Sequence, residues 1–126
     1  IMNQTFPLAR YSFSSPYEVT VIFQAYESLS HDLVWELIYV CSRNDSAFDQ
    51  KLCRVNYGAA EKGEHKFLVE APPADFAKIP VAELIGFHEI ILKAKYNDQE
   101  FLTIGWPVEV HSYAENFPEL ILLPLT

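Results

Sequence analysis

Four histidines, two cysteines and a few acids are the groups in this chain that could do chemistry. His31, His65, His88 and His111 stand apart. None has a second ligand at helical or strand spacing, so each reads as a surface or internally satisfied histidine rather than a metal ligand. Cys41 and Cys53 do not make a disulfide framework and read as reduced thiols of an intracellular protein. Cys41 could act as a nucleophile only with a histidine brought to it by tertiary folding. Asp49, Glu83 and Glu89 could in principle form an acid–base pair. They come from separate segments with no pocket implied, and charges on a surface are the plainer reading. No G-x-S-x-G, P-loop, dinucleotide or H-E-x-x-H motif occurs. The expectation is a chain that binds rather than catalyses, with no cofactor and no metal.

Composition points the same way. The chain has 126 residues, enough for one domain with a real core, and the whole of 1–126 reads as one domain. Half of it is hydrophobic and 14% aromatic, which excludes extensive disorder. No apolar run approaches the roughly 20 residues of a membrane-spanning helix. No secretory leader is visible, though a chain that starts at Ile1 rather than Met says little about what came before it. The formal net charge of −8 disfavours direct contact with nucleic acid, because phosphates need clustered Lys and Arg. An acidic domain favours a basic protein partner. A monomer is expected.

The elements that must position these groups centre on Leu33–Val40, which reads Leu-Val-Trp-Glu-Leu-Ile-Tyr-Val. At a period of two, Leu33, Trp35, Leu37 and Tyr39 share a bulky apolar face that belongs in a core. The opposite face carries Val34, Glu36, Ile38 and Val40, too apolar for plain solvent. Either a second layer or a partner must cover it. Tyr17–Tyr26 alternates as a half-buried strand with Val19, Val21, Phe23 and Ala25 inward. Strands are also expected over Arg54–Tyr57 and over His65–Glu70, where Phe67 and Val69 point in. Phe6–Leu8 could be an edge strand, and Ser12–Pro16 is turn-like. Gly58–Glu64 and Ala71–Lys78 read as loops. Ile79–Leu84 fits one helical turn with Pro80 at its start.

Phe87–Tyr96 and Glu100–Val110 form a hairpin about Asn97-Asp98-Gln99. Ile90, Leu92, Ala94 and Tyr96 point inward from the first strand. Leu102, Ile104, Trp106, Val108 and Val110 do so from the second. Pro107 puts that strand at an edge or a bulge. Asn116–Pro118 breaks the chain before an apolar tail, Leu120–Leu123. Seven or eight short strands with almost no helix give an all-β fold, an antiparallel sandwich of immunoglobulin-like shape without its disulfide. Residues alone leave open a generic immunoglobulin-like interaction module.

Several stretches narrow the choice. Leu29-Ser30-His31-Asp32-Leu33-Val34-Trp35 with Ile38-Tyr39-Val40, Phe48-Asp49-Gln50, Gly63-Glu64-His65-Lys66-Phe67, Ile79-Pro80, and Gln99-Glu100-Phe101 with Ile104-Gly105 occur in this order. Together they resemble the anti-silencing function histone chaperones from about Pro16 to Val110. The resemblance implies an elongated immunoglobulin-like sandwich and a non-enzymatic nuclear protein, also cytoplasmic. It would bind histones three and four as one dimer, block the surface that forms their tetramer, and hand the dimer to nucleosome assembly factors. By the family's pattern the histone face falls on Val40, Asp49, Glu83, Ile85, Phe87, Glu89, Ile91, Thr103 and Pro107. Val40, Phe87 and Ile91 would form its dry centre, with Asp49 and Glu83 pairing with histone Lys or Arg at the margin.

This sequence departs from the pattern at three of those positions. The family normally has an aliphatic residue at Glu89, commonly a basic one at Thr103 and an aromatic at Pro107. An acid at a contact centre costs desolvation unless it finds a cation. The resemblance also implies a second partner site on the opposite face. Basic segments of proteins resembling histone regulator A and chromatin assembly factor would lie along a sheet edge at His31, Asp32, Val55, Tyr57 and Phe67. There the family's acidic pair is reduced to His31-Asp32. After Tyr113 the match fades, in a region that in the family helps pair a strand with the tail of histone four.

Overall fold

A computed structural model of the chain describes residues 2–5, 10–11, 16–42, 45–113 and 117–122. Its architecture is an all-β, immunoglobulin-like sandwich of two antiparallel sheets. Strand β4, Leu33–Val40, runs between β5 (Gln50–Gly58) and β7 (Gly86–Tyr96). Beyond β7 lie β8 (Gln99–Tyr113), β9 (Phe117–Leu122) and β2 (Arg10–Tyr11), giving the order β2-β9-β8-β7-β4-β5. The smaller sheet is β1-β3-β6, built from Met2–Thr5, Tyr17–Ala25 and Gly63–Ala71.

The inward faces are those the alternation predicts. Leu33, Trp35, Leu37 and Tyr39 of β4 are buried, as are Val19, Val21, Phe23 and Ala25 of β3 and Ile90, Leu92 and Ala94 of β7. Rings lock the two sheets together. Tyr17 stacks on Tyr39 with centroids 6.3 Å apart, and Trp35 meets Phe23 at 6.0 Å and Phe67 at 5.5 Å. Aromatic contacts of this kind add to the burial that drives the sheets together. Burial pushes the Tyr17 phenol up to about 12, while the Ala74 N–H donates to its oxygen at 3.4 Å.

Some boundaries differ from the sequence reading. The hairpin turn is only two residues, Asn97-Asp98, at φ 52° and 61°. Both are left-handed, as a type I′ turn requires, so Tyr96 pairs directly with Gln99. Pro118 lies inside β9 rather than before it, opposite Ser112. It is tolerated because β2 pairs β9 only at Leu120 and Ile121. Pro107 sits one residue before β8 begins to pair with β9 at Val108, so that stretch of β8 is an edge among the described residues. Pro80 precedes the short helix α1, Val81–Leu84. Phe6–Leu8, Ser12–Ser15, Asn116 and Leu123 lie outside the described residues.

The outer face of β4 is covered unevenly. Val34 and Glu36 are buried, whereas Ile38 and Val40 remain half-exposed. Among the described residues no third layer covers Glu36. Lys51 of β5 reaches one carboxylate oxygen at 2.6 Å and Lys95 of β7 the other at 2.9 Å. Hydrogen bonds from these two lysines hold the Glu36 carboxyl below its usual range, against the opposing effect of burial. Their heads stay partly in water, so the pair contributes less than a fully buried one. Glu36→Ala is expected to cost about 2 kcal/mol in urea unfolding at pH 7. Because the folded pKa is depressed, this contribution is present above the ordinary value near 4.5 and lost as pH falls through the folded value. The gap between wild type and variant should therefore narrow in acid. A gap that does not change with pH would assign the loss to packing instead.

Candidate functional site

Antiparallel register lays the candidate residues out in rows across the large sheet. Val40, Glu89 and Pro107 form one row, and Ile38, Ile91 and Gly105 the next. Glu36, Lys93 and Thr103 form the third. Residues directly opposite one another share a face. Val40, Glu89, Ile91, Thr103 and Pro107 thus lie together on the outside of the six-stranded sheet, with Phe87 on the same face of β7. Phe87 is 69% exposed and Ile85 50%, while Val40, Ile91 and Pro107 are half-buried by their neighbours. The patch is apolar around one acid and nothing among the described residues covers it, the kind of surface that marks an interaction site.

Glu89 lies in that centre. Its carboxylate crosses to β8 and rests over Gly105, where an added Cβ would come within 2.8 Å of Oε2. The glycine leaves room for the acid to lie flat on the sheet. Among the described residues no ion pair reaches Glu89. Thr103 is exposed, and its hydroxyl donates to the Glu100 carboxylate.

Asp49 and Glu83 border the same patch from two connecting segments. Asp45 caps the short 3-10 helix Ser46–Phe48 by accepting from the Ala47 N–H at 3.0 Å, and the Asp49 N–H closes it onto the Ser46 carbonyl at 3.1 Å. Gln50 then clamps Asp75 at both ends, donating to its carbonyl at 2.9 Å and accepting from its N–H at 2.7 Å. This fixes the chain at Asp49. Burial raises the Asp49 carboxyl, with Lys93 opposing the rise and Asp45 adding to it. Burial also raises the Cys41 thiol, and the fields of Glu83, Asp49 and Asp45 push it further. A raised thiol is the opposite of what a nucleophile needs. Cys41 directly follows β4 and its thiol reaches the Phe48 carbonyl at 3.9 Å, which sets the Asp45–Asp49 segment at that end of the sheet.

Glu83 and Ile85 are held by a residue that the sequence reading left isolated. His88 is buried, with Nε2 2.7 Å from the Glu83 carbonyl and Nδ1 2.5 Å from the Tyr39 hydroxyl. A carbonyl can only accept, so Nε2 carries the proton and Nδ1 accepts from Tyr39. The neutral ring ties the end of α1 to the central strand. Gly86, at φ 134°, makes the bend into β7 that a side chain would strain. Period-two alternation back from Ile90 was the available signal, since it puts position 88 inward. His65 is satisfied in the same two-sided way, by the Tyr57 hydroxyl at 2.8 Å and the Glu61 carbonyl at 2.6 Å.

An apolar cleft of about 550 Å³ opens elsewhere, against Phe23, Leu29, Trp35 and Phe101. Its lining contains neither histidine nor cysteine. Among the described residues no three His, Cys, Asp or Glu side chains gather as metal ligands.

Residues 2–120 match the family described as ASF1 like histone chaperone. The chain belongs to that family. It is 42% identical over 94 residues to the probable histone chaperone asf-1-like protein of Caenorhabditis elegans, covering 75% of this chain and 38% of the relative. Against histone chaperone asf1 of Drosophila melanogaster it is 35% identical over 109 residues, 86% of this chain and 49% of the relative. Against histone chaperone ASF1 of Mycosarcoma maydis it is 37% identical over 117 residues, 90% and 67%. The chain spans under two-fifths of the length of the nematode relative.

The second set of candidates is only partly gathered. Val55, Tyr57 and Phe67 are half-buried where β5 and β6, the last strands of their sheets, approach each other. Tyr57 and Phe67 meet at 4.7 Å. Asp32 joins β5 by accepting from Asn56 at 3.0 Å. His31 meets Tyr96 at 5.6 Å and lines one depression with Asp32 and Asn56.

Burial holds the His88 imidazole below its usual range of about 6.5, with the Glu83 carbonyl and carboxylate opposing. The unfolded chain takes up a proton near that value while the folded chain does not. Stability should therefore fall as pH drops below about 6.5 and level off below the folded value. Urea unfolding from pH 7 to pH 5 should show this fall in the wild type and a smaller one in His88→Gln. Equal pH dependence in both would remove His88 as its source.

Proposed function

We propose that this chain is a non-enzymatic histone chaperone core that binds one dimer of histones three and four on the outer face of its six-stranded sheet. The observation that carries the reading is the row pattern itself. An apolar centre of Val40, Ile91 and Phe87 lies beside Asp49, Glu83 and Glu89, which suits a partner with an apolar surface bordered by Lys and Arg. Family membership and the net charge of −8 support it. In this reading the bound chaperone covers the surface through which two copies of histone three would meet, so it competes with the tetramer. The edge of β5, with Val55 and Tyr57 and with Phe67 of the neighbouring β6, is where a basic strand from a downstream assembly factor would be received. Such a protein acts in the nucleus, on its way from the cytoplasm, as a monomer.

Native mass of the purified protein mixed with histones three and four should show one chaperone with one of each histone. No complex, or an intact tetramer held between two chaperones, would contradict the proposal. Val40→Arg should abolish this complex without unfolding the domain, because residue 40 points away from the core. The substitution puts a cation into an apolar contact facing a basic partner, a penalty of roughly several kcal/mol. Retained binding would take Val40 out of the contact.

Glu89 has no internal partner among the described residues, and we read it as the mate of a histone cation. Glu89→Ala should weaken binding by about 2 kcal/mol, since that cation is left buried and unpaired. Calorimetry of wild type, Glu89→Ala and Glu89→Val at two salt concentrations decides this. Tighter binding by Glu89→Val would mean that the acid opposes an apolar histone surface.

A further inference from the structure

The proposed contact face is not acidic throughout. Lys51, Arg54, Lys93 and Lys95, four of the nine Lys and Arg in an acidic chain, surround the single carboxylate of Glu36, whose row lies two rows along the sheet from Val40 and Glu89. Lys51 and Lys95 are spent on that carboxylate. Arg54 and Lys93 are not, although both stand directly opposite Glu36, one on each side. Among the described residues neither forms an ion pair. Asp32 and Asp98 share a shallow depression with Arg54 without reaching it for an ion pair, and Lys93 is felt by Asp49 only through its field. Two strand spacings put the two backbones about 10 Å apart.

We propose that Arg54 and Lys93 receive carboxylates of the docked protein. That protein must then carry an acidic pair about 10 Å apart over strands β7, β4 and β5, farther along the sheet than the basic residues that meet Asp49, Glu83 and Glu89. The alternation of sign along one face fixes the direction in which the partner docks, because a reversed partner would set like charges against each other. A protein fits better than a nucleic acid. A phosphate backbone brings a continuous run of negative charge, which the acids flanking Arg54 and Lys93 would repel. Discrete carboxylates need only two cations.

This inference rests on the proposed function, and the sign of one substitution separates it from that reading. Considered only as a field, removing two cations from the chaperone should strengthen its hold on a basic histone dimer. If the cations meet histone carboxylates, the opposite occurs. The test is a fluorescence titration of labelled histone three–four dimer with wild type, Val40→Arg, and the double variant Arg54→Ala/Lys93→Ala. Lys51 and Lys95 are left intact so that Glu36 stays paired. Thermal unfolding of the double variant should match wild type, and Arg54→Gln/Lys93→Gln serves if the alanines disturb the fold.

The expected result is binding at least about tenfold weaker in the double variant, with most of it regained in Arg54→Lys/Lys93→Arg. Unchanged or tighter binding, with Val40→Arg still inactive, would overturn this inference and leave the proposed function standing. No binding by wild type would overturn both. Binding of a short DNA duplex at physiological salt that the double variant loses would make the strip a phosphate site and refute the assignment to carboxylates.

Discussion

The architecture follows from a strand that is apolar on both faces. Leu33, Trp35, Leu37 and Tyr39 bind β4 to the small sheet, and that sheet can cover only one side. The other side still carries Val34, Ile38 and Val40. In most antiparallel sandwiches that face would be polar and finished. Here half of it is closed by a local device, the Lys51–Glu36–Lys95 arrangement, and half is left open. The open half is where Glu89 and Pro107 lie in register with Val40, and Ile91 with Ile38. A surface of this kind is stable in isolation only because it is small and interrupted by charge; covering it is the natural source of binding free energy.

The supports around that surface are mostly hydrogen bonds at its margin. The His88 bridge from Tyr39 to the Glu83 carbonyl sets the α1 end, and the Gln50–Asp75 clamp sets the Asp49 segment. Both tie a connecting segment to the sheet, so the acids that border the patch are positioned before any partner arrives. Preorganised charge of this sort lowers the cost of docking. The cations around Glu36 make the face acidic at one end and basic at the other, which a uniformly acidic face would not be.

Much of this was legible in the sequence, and for a physical reason. The inward and outward sets of β3, β4, β7 and β8 follow from alternation, which the sheets enforce, and the order of motifs pointed to the family. What the sequence did not reveal depends on register. Glu36 reads as an acid stranded among aliphatics until β5 and β7 bring Lys51 and Lys95 to it from 15 and 59 residues away. Gly105 gives no hint that it makes room for Glu89, since the contact exists only between paired strands. His88 looked isolated because both its partners are non-local or backbone atoms. His31 likewise gives no sign in the sequence of its contact with Tyr96, which register brings to it from 65 residues away.

The central claim is that the outer face of the six-stranded sheet, and not the rest of the sandwich, meets the histones. Ile90 and Ile91 are sequence neighbours on opposite faces of β7, the first fully buried and the second half-exposed. Methyl NMR of the labelled protein titrated with histones three and four reads the two faces separately. The account predicts large shifts and intermolecular contacts at the Ile38, Val40 and Ile91 methyls, with Ile90 and Leu92 little changed. Perturbations centred on the outward residues of the small sheet, such as Thr20, Ile22 and Leu68, with Ile91 silent, would contradict it.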